Sequence, residues 1–445
     1  MNDAASDAPG PVGLPLLGSL PELWSRGMFP LFQRMWHEHG DVSRARLGPR
    51  NLYLIAHPDH VHHVLVGRRD SYTKQSHRAR PLIGDGLSAS TGELWKQQRE
   101  LLQPLFQVRA LGQLAGHIHA AVQRIAERWD AAAGRGEAVE IVGEMVSLTL
   151  DVINRAMTGN PLVDEEGLRR AIRDAIDFVV ASKQIFRLPL GLPTPANRRF
   201  HEALSIIDSF VARAIATSRA RPDESSMLAT LLRARGADGR PLSERLIRDE
   251  TVNLLLAGHD TTASALAWTW HLLAEHGDAR ARLHAELETT LSGRSPTAEE
   301  RGKLPWLTAL LQESMRLYPP IWIIPRHVAA DDEIGGYRVQ AGATIMICTY
   351  FTHRHPAVWN EPESFQPERF LEAQPRAQRA SFNPFGYGPR TCIGNHLAML
   401  EMQLAIATLA QRFELSRPAG ARAVEKDFGT ALRPRDGLWM HIRRR

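Results

Sequence analysis

The feature that most restricts the fold is a long segment without proline, from Ser243 to about Gly277. Ser243 is a good helix N-cap, and Leu242 and Ile247 are placed to form a hydrophobic staple. A single helix over this segment spans about 50 Å, since each residue adds 1.5 Å. Because a helix of that length crosses a whole molecule, it predicts a fold built around one central helix.

Other segments indicate a mainly α-helical fold with a small β-rich part. The chain from Val108 to about Leu232 is dominated by Ala, Leu, Arg and Glu, which favour helices. Alternating apolar residues predict short strands at 42–47, 51–56, 333–341 and 344–348, the first two forming a hairpin. Residues 1–20 are rich in proline and glycine, which predicts an extended lead-in. We expect residues 1–445 to form a single domain.

The middle of the predicted central helix carries an unusual sequence, Ala257-Gly-His-Asp-Thr-Thr262. Glycine, aspartate and threonine each cost several tenths to about 1 kcal/mol relative to alanine inside a helix. A local loss of helix propensity in an otherwise strong helix indicates function. Threonine hydroxyls can bond to the carbonyl four residues earlier, which leaves room beside the helix for a diatomic ligand and water. A simple bend in the helix is the alternative.

A second unusual segment surrounds Cys392, which follows a glycine-rich turn and precedes the helix-forming run from Leu397 to Met402. Backbone N–H groups and the positive end of a helix dipole are expected to lower the thiol pKa there and favour a thiolate. A structural zinc site needs about four protein ligands, and the other cysteine, Cys348, has no CxxC partner. One thiolate suits an axial ligand of haem iron. The alternative is a buried structural cysteine.

The same segment contains Phe385, Gly388, Arg390, Cys392 and Gly394 in the order Phe-x-x-Gly-x-Arg-x-Cys-x-Gly, and it resembles the cytochrome P450 family. This resemblance implies the mainly α cytochrome P450 fold, with a cofactor-binding loop at these five positions. It also implies haem b, with Cys392 as the axial iron ligand. Cys348 is then expected to be a core residue.

The resemblance assigns roles to several other positions. Ala257 and Gly258 match the oxygen-binding part of the central helix, and Asp260 and Thr261 match the residues that handle protons. Three cations are expected to pair with the haem propionates: Arg99, Arg326 and Arg390. Trp95 is expected to bind the same propionate as Arg99. By itself, the Trp95/Arg99 spacing is equally typical of a packing or cation–π pair one helical turn apart.

Glu313 and Arg316 lie three residues apart on a predicted helix from Lys303 to Leu317. An isolated Glu-x-x-Arg carries little information, because surface pairs at this spacing are common. In the resembled family, Arg369 completes a buried network with them. The substrate pocket is expected to be apolar, with these residues in its wall: Leu82, Ile83, Leu87, Ile185, Phe186, Ile321, Trp322 and Ile323.

Composition narrows the cellular context. The 445 residues include 43% hydrophobic and 23% charged residues, which is typical of a globular protein and excludes general disorder. The net charge of +5 is spread widely, so we expect no nucleic-acid partner and, instead, an acidic protein partner. Two cysteines indicate a reducing compartment, and no signal peptide or membrane-spanning segment is recognisable. We therefore expect a cytoplasmic monomer.

The predicted activity is monooxygenation, in which one atom of O2 enters a C–H bond of an apolar terpenoid, fatty acid, steroid or polyketide. We expect no fused reductase, because the chain ends about fifty residues after Cys392. Electrons from NAD(P)H would arrive through a separate ferredoxin or flavodoxin with its reductase. The alternatives are a haem-thiolate isomerase, dehydratase or peroxygenase, and a haem sensor. The Asp260-Thr261 pair favours the monooxygenase.

Overall fold

The computed structural model describes residues 6–74, 78–162, 165–180, 189–220, 226–236 and 239–445. Most of these residues are helical, as expected. In chain order the helices are α1 Leu20–Arg26, α2 Met28–His39, α3 Pro58–His62, α4 Arg80–Ile83, α5 Gly92–Leu102, α6 Val108–Arg135, α7 Ile141–Thr158, α8 Glu165–Val180, α9 Pro195–Ala220, α10 Met227–Arg233, α11 Glu244–Glu275, α12 Gly277–Leu291, α13 Pro305–Leu317, α14 Thr349–Thr352, α15 Arg376–Ser381 and α16 Asn395–Arg412.

The strands form small sheets. They are β1 Ser6–Asp7, β2 Val42–Leu47, β3 Arg50–Ile55, β4 Tyr72–Thr73, β5 Ala138–Glu140, β6 Ile324–Val328, β7 Asp332–Ile334, β8 Tyr337–Val339, β9 Thr344–Ile347, β10 Phe413–Ser416, β11 Lys426–Phe428, β12 Leu432–Pro434 and β13 Trp439–Arg444. The largest sheet has the order β2-β3-β9-β6-β4, with only the β3/β9 pair parallel. The sheet β10-β13-β5 packs against the main helical core.

The central helix α11 forms as predicted, and the Ser243 hydroxyl accepts a hydrogen bond from the Leu246 N–H at 3.2 Å. It packs along α7 and also contacts α9, α13 and α16. The main apolar core surrounds it, and rings of Trp129, Trp270 and Phe413 meet edge to face at its far end. Burial on all sides explains why α11 has no clear amphipathic stripe.

The early hairpin is confirmed as β2 and β3, with Val42 opposite Ile55. The predicted strand 333–341 is wrong as a single element. It is the hairpin β7/β8, because Gly335 and Gly336 adopt φ of +59° and +81° and turn the chain. The glycine- and serine-rich composition of residues 82–90 favours an irregular segment, but Leu82 and Ile83 lie in the short helix α4.

Two further expectations concern the burial of Cys348 and membrane-spanning helices. Cys348 is fully buried, and burial raises the pKa of its thiol to about 12, so it is a core residue as expected. Within the described ranges, no helix combines the length and apolar character needed to cross a membrane.

Candidate active site

The loop around Cys392 is held in one conformation by short-range contacts. The Cys392 N–H donates to the Phe385 carbonyl at 2.8 Å, which closes the turn. Gly388 has φ of +73°, and a Cβ placed there would lie 2.4 Å from the Leu65 carbonyl oxygen. Only glycine fits this position, since both the backbone angle and the approach of the π-helical segment His63–Gly67 exclude a side chain. A Cβ at Gly394 would be 3.9 Å from the Cys392 sulfur.

The Cys392 side chain is accessible although protein surrounds it, so its surface belongs to an interior cavity. Burial raises the pKa of the thiol, while the Gly394 N–H and the Arg99 cation lower it by smaller amounts. The expectation of a net lowered pKa is therefore wrong for the protein alone, because desolvation outweighs both favourable contacts. A metal ion bound to the sulfur would supply the charge that stabilises a thiolate.

Two arginines flank this cavity on the side of α5. The guanidinium carbon of Arg390 lies 4.0 Å from the centre of the Trp95 ring, and its Nη1 donates to the Ser90 carbonyl at 3.0 Å. Arg99 Nη1 donates to the Thr391 carbonyl at 2.8 Å. Trp95 and Arg99 thus reach the loop from one helix face, and Trp95 stacks on Arg390 and not on Arg99.

Arg326 and Lys74 complete a cluster of four cations with Arg99 and Arg390. Burial lowers the pKa of Arg326 to about 10, and burial with the charges of Arg326 and Arg390 lowers the pKa of Lys74 to about 8. Among the described residues, no aspartate or glutamate neutralises any of the four. Arg326 is buried and the other three are half-buried. Cations withdrawn from water without a carboxylate are costly, so this cluster fits an anionic ligand.

The polar centre of α11, residues 257–262, also borders interior space. Ala257 is exposed in the middle of a buried helix, and the Thr261 hydroxyl donates to the Ala257 carbonyl at 3.2 Å. This is the bond to the carbonyl four residues earlier that the sequence indicated. Gly258 also has a packing role: a Cβ there would be 2.9 Å from Ile153 Cγ1, so close packing of α11 on α7 favours glycine.

Asp260 has a partner that the sequence did not indicate. Its Oδ1 lies 3.8 Å from Arg433 Nη1, on β12. Arg433 also approaches Asp177 on α8 at 4.0 Å and Asp427 on β11 at 3.7 Å. Arg433 therefore joins α11, α8 and the β11/β12 hairpin through carboxylates.

The ion pair expected from Glu313 and Arg316 is present and completely buried, with Arg316 Nε and Nη2 donating to the two carboxylate oxygens at 2.6 and 2.8 Å. Arg369 Nε lies 3.4 Å from Glu313 Oε1. Arg316 Nη1 also donates to the His353 carbonyl at 3.1 Å, and the His353 ring accepts the Asn383 N–H at 3.0 Å. The network thus extends to the start of the Cys392 loop.

The expected pocket residues fall into four groups. Leu82, Ile83 and Leu87 are buried beside the main core, and Ile321 and Ile323 are partly buried. Trp322 differs from the expectation, because it is 3% exposed and packs among the rings of Phe29 and Phe428 in a separate core cluster. Ile185 and Phe186 lie outside the described residues.

Comparison with known proteins decides the family. The cytochrome P450 family model matches residues 8–439. This chain is a cytochrome P450. It is 36% identical to the cyclooctat-9-en-7-ol 5-monooxygenase of Streptomyces melanosporofaciens, covering 92% of this chain and 89% of the relative. It is 31% identical to the pentalenene oxygenase of Streptomyces avermitilis, covering 97% and 96%.

Solved P450 structures show the same fold. The cyanobacterial CYP120A1 with bound retinoic acid is 27% identical, with a TM-score of 0.87, covering 99% of this chain and all of the other. The haem domain of cytochrome P450DA is 26% identical, with a TM-score of 0.88, covering 99% and 98%. The predicted cytochrome P450 fold is confirmed.

P450s use haem b, O2 and electrons derived from NAD(P)H, and this chain is a P450 monooxygenase. Its residues fit that cofactor: an accessible sulfur faces the cavity, and the cluster of cations without carboxylates suits the two haem propionates. Cys392 would bind the iron, and Arg99, Arg326, Arg390 and Lys74 would meet the propionates. Bound haem supplies the activation of O2.

Sequence reasoning missed Lys74, Arg433 and His353. Lys74 follows a two-residue strand in an ordinary polar sequence, and Arg433 lies in a short hairpin near the C-terminus, so neither carries a local signal. Their positions follow from contacts between distant segments. His353 lies in no recognisable motif, although it links the Glu313/Arg316 pair to the Cys392 loop.

Proposed function

We propose that this P450 inserts one oxygen atom into a C–H bond of an apolar cyclic terpenoid. The observation that carries the proposal is the pair of relatives named for cyclooctat-9-en-7-ol and pentalenene, which match over nearly the full chain. The apolar side chains proposed for the pocket wall, Leu82, Leu87, Ile321 and Ile323, are consistent with such a ligand, since they offer no charge to pair with a polar one.

In this proposal, Thr261 positions a water molecule. Its hydroxyl proton is already donated to the Ala257 carbonyl, so the oxygen presents lone pairs that can accept a hydrogen bond from water. A water held there would pass protons from Asp260 into the cavity and would thereby limit the loss of hydrogen peroxide. Asp260 supplies the protons, and Arg433 holds the Asp260 carboxylate in position between proton transfers.

We also propose that electrons come from a separate acidic ferredoxin or flavodoxin. The net charge of +5 favours such a partner. Steering between opposite charges weakens when salt screens it over about 8 to 10 Å. The rate of haem reduction should therefore fall as the salt concentration rises, and a rate independent of salt would count against an acidic partner.

The test uses purified holoenzyme with a surrogate ferredoxin, its reductase and NADPH. Pentalenene, cyclooctat-9-en-7-ol, a long-chain fatty acid and a steroid are compared by the low-to-high-spin shift and by mass spectrometry of products. We expect spin shifts and oxygenated products from at least one terpenoid, only when NADPH is present. Products from the fatty acid or steroid alone would overturn the substrate class. Products formed without NADPH would instead support an isomerase, dehydratase or peroxygenase.

A further inference from the structure

Residues 84–90, here called the strap, connect α4 to α5 and lie against the N-terminal half of α11. Three side chains of α11 accept backbone N–H groups from the strap: Asp249 Oδ2 from Asp85 at 2.9 Å, Glu250 Oε2 from Leu87 at 3.1 Å, and Asn253 Oδ1 from Ser88 at 3.1 Å. Helices rarely present three polar side chains to one loop inside a core, because each costs free energy unless it is hydrogen-bonded.

The three acceptors are almost completely buried, with exposures of 3% for Asp249, 1% for Glu250 and 3% for Asn253. The strap approaches α11 so closely that a Cβ at Gly86 would lie 2.7 Å from the Asp249 carbonyl oxygen. Gly84 has φ of +54° and leaves no room for a side chain beside the Asp249 carboxylate. Gly84 and Gly86 are therefore required by this contact.

The face of α11 that holds the strap continues into the cavity. Positions 250, 253, 257 and 261 follow the spacing of one helix face. Glu250 and Asn253 bind the strap there, and Ala257 and Thr261 border the cavity one and two turns further on. The strap therefore lies directly beside the part of α11 that borders the cavity, and Leu87 on the strap is buried, with 7% exposure.

The other end of the strap is fixed near the Cys392 loop. The Ser90 carbonyl accepts a hydrogen bond from Arg390 Nη1 at 3.0 Å. At the first end, the Asp85 carbonyl accepts a further hydrogen bond from Gln98 Nε2 of α5 at 2.7 Å. The strap thus runs from the central helix to a member of the cation cluster, held at both ends by hydrogen bonds to its backbone. Backbone contacts of this kind fix the path of the chain and leave its side chains free to vary.

From these contacts we propose that Asp249, Glu250 and Asn253 are positioning residues that fix the strap as a wall of the substrate cavity. They act through the strap and do not touch the substrate. The wall they hold carries Leu87 and adjoins Leu82 and Ile83, so it sets how large an apolar molecule fits above the cofactor. The inference rests on the proposed function for the nature of that molecule, and its test needs no terpenoid.

The test compares Glu250→Ala and Asn253→Ala with Glu286→Ala in the holoenzyme. Glu286 is a matched control, since its carboxylate accepts the N–H groups of Trp306 and Leu307 at 2.7 and 2.9 Å between α12 and α13. Deuterium exchange, followed by peptide mass spectrometry, reports on residues 84–90. Losing one such hydrogen bond should speed exchange of the strap roughly fivefold to tenfold. Glu286→Ala should leave it unchanged.

Two iron-binding probes then separate the wall from general damage. Clotrimazole carries a bulky triaryl group that extends beyond the iron, whereas imidazole needs little space there. Glu250→Ala and Asn253→Ala should weaken clotrimazole binding roughly fivefold and leave imidazole binding unchanged. Glu250→Gln and Asn253→Asp keep an acceptor oxygen and should restore wild-type exchange and binding. If an alanine variant fails to take up haem, Asn253→Ser, which shortens the acceptor, takes its place.

Unchanged exchange at residues 84–90 in the alanine or serine variants would overturn the proposal. So would equal weakening of both azoles, or the same response from Glu286→Ala. None of these outcomes depends on terpenoid turnover. Failure of the proposed substrate class is therefore distinguishable from failure of the proposed role of the strap.

Discussion

Replacing Glu250 with glutamine should change how the stability of this P450 depends on pH. Glu250 is 1% exposed, and burial raises the pKa of its carboxyl from an ordinary value of 4.5 to about 7. The Leu87 N–H lowers the pKa and the Asp249 carboxylate raises it by smaller amounts. Between these two pH values, the folded protein keeps a proton that the unfolded chain has released.

The sign and size of the effect follow from this difference. Because the folded state binds more protons, the free energy of unfolding falls as pH rises from about 4.5 to about 7, and it is level above that. Each pKa unit corresponds to about 1.4 kcal/mol, so the total loss is about 3 kcal/mol. With an unfolding entropy of about 2 cal/mol/K per residue, this corresponds to about 3 °C in the melting temperature.

Glutamine cannot titrate, so Glu250→Gln should remove this part of the pH dependence. The assay is differential scanning calorimetry of both holoenzymes at one scan rate, between pH 5 and 8. The difference in melting temperature, wild type minus variant, should fall by a few degrees across this range, whatever its absolute value. Other titrating groups cancel in the difference. Parallel curves for the two proteins would refute the buried, protonated Glu250.

Three further outcomes are expected. Thr261→Ala should keep haem content and substrate binding but convert NADPH consumption into hydrogen peroxide, with product per electron falling severalfold; undiminished coupling would contradict the water-positioning role. Cys392→Ser should lose the ferrous–CO band characteristic of thiolate ligation, whereas Cys348→Ser, measured in parallel, should keep it. Glu313→Gln should destabilise the fold by about 3 to 5 kcal/mol, because it leaves the Arg316 cation buried without its partner. Denaturant unfolding that showed less than 1 kcal/mol would argue against a fully desolvated pair.

The sequence predicted the central helix, the early hairpin and the segments around Ala257 and Cys392, because helix propensity, turns and spacing are local properties. It did not predict the net direction of the Cys392 pKa shift, since desolvation depends on atoms contributed by distant segments. The resemblance implies that the apolar run at Trp322 faces the pocket, but apolar character does not show which of its side chains enters a packed core instead, as Trp322 does. Lys74 could not be found because nothing near it in the chain is unusual.

The contact between the strap and α11 has a consequence for recombining this protein with its relatives. The strap and its acceptors are about 160 residues apart in the chain, at Leu87 and Glu250, yet neither can be optimised alone. A chimera whose positions 249–253 come from a parent without these acceptors would leave the backbone amides of the strap buried and unpaired. Libraries with crossovers between the two segments should therefore yield fewer folded enzymes than libraries that inherit both together.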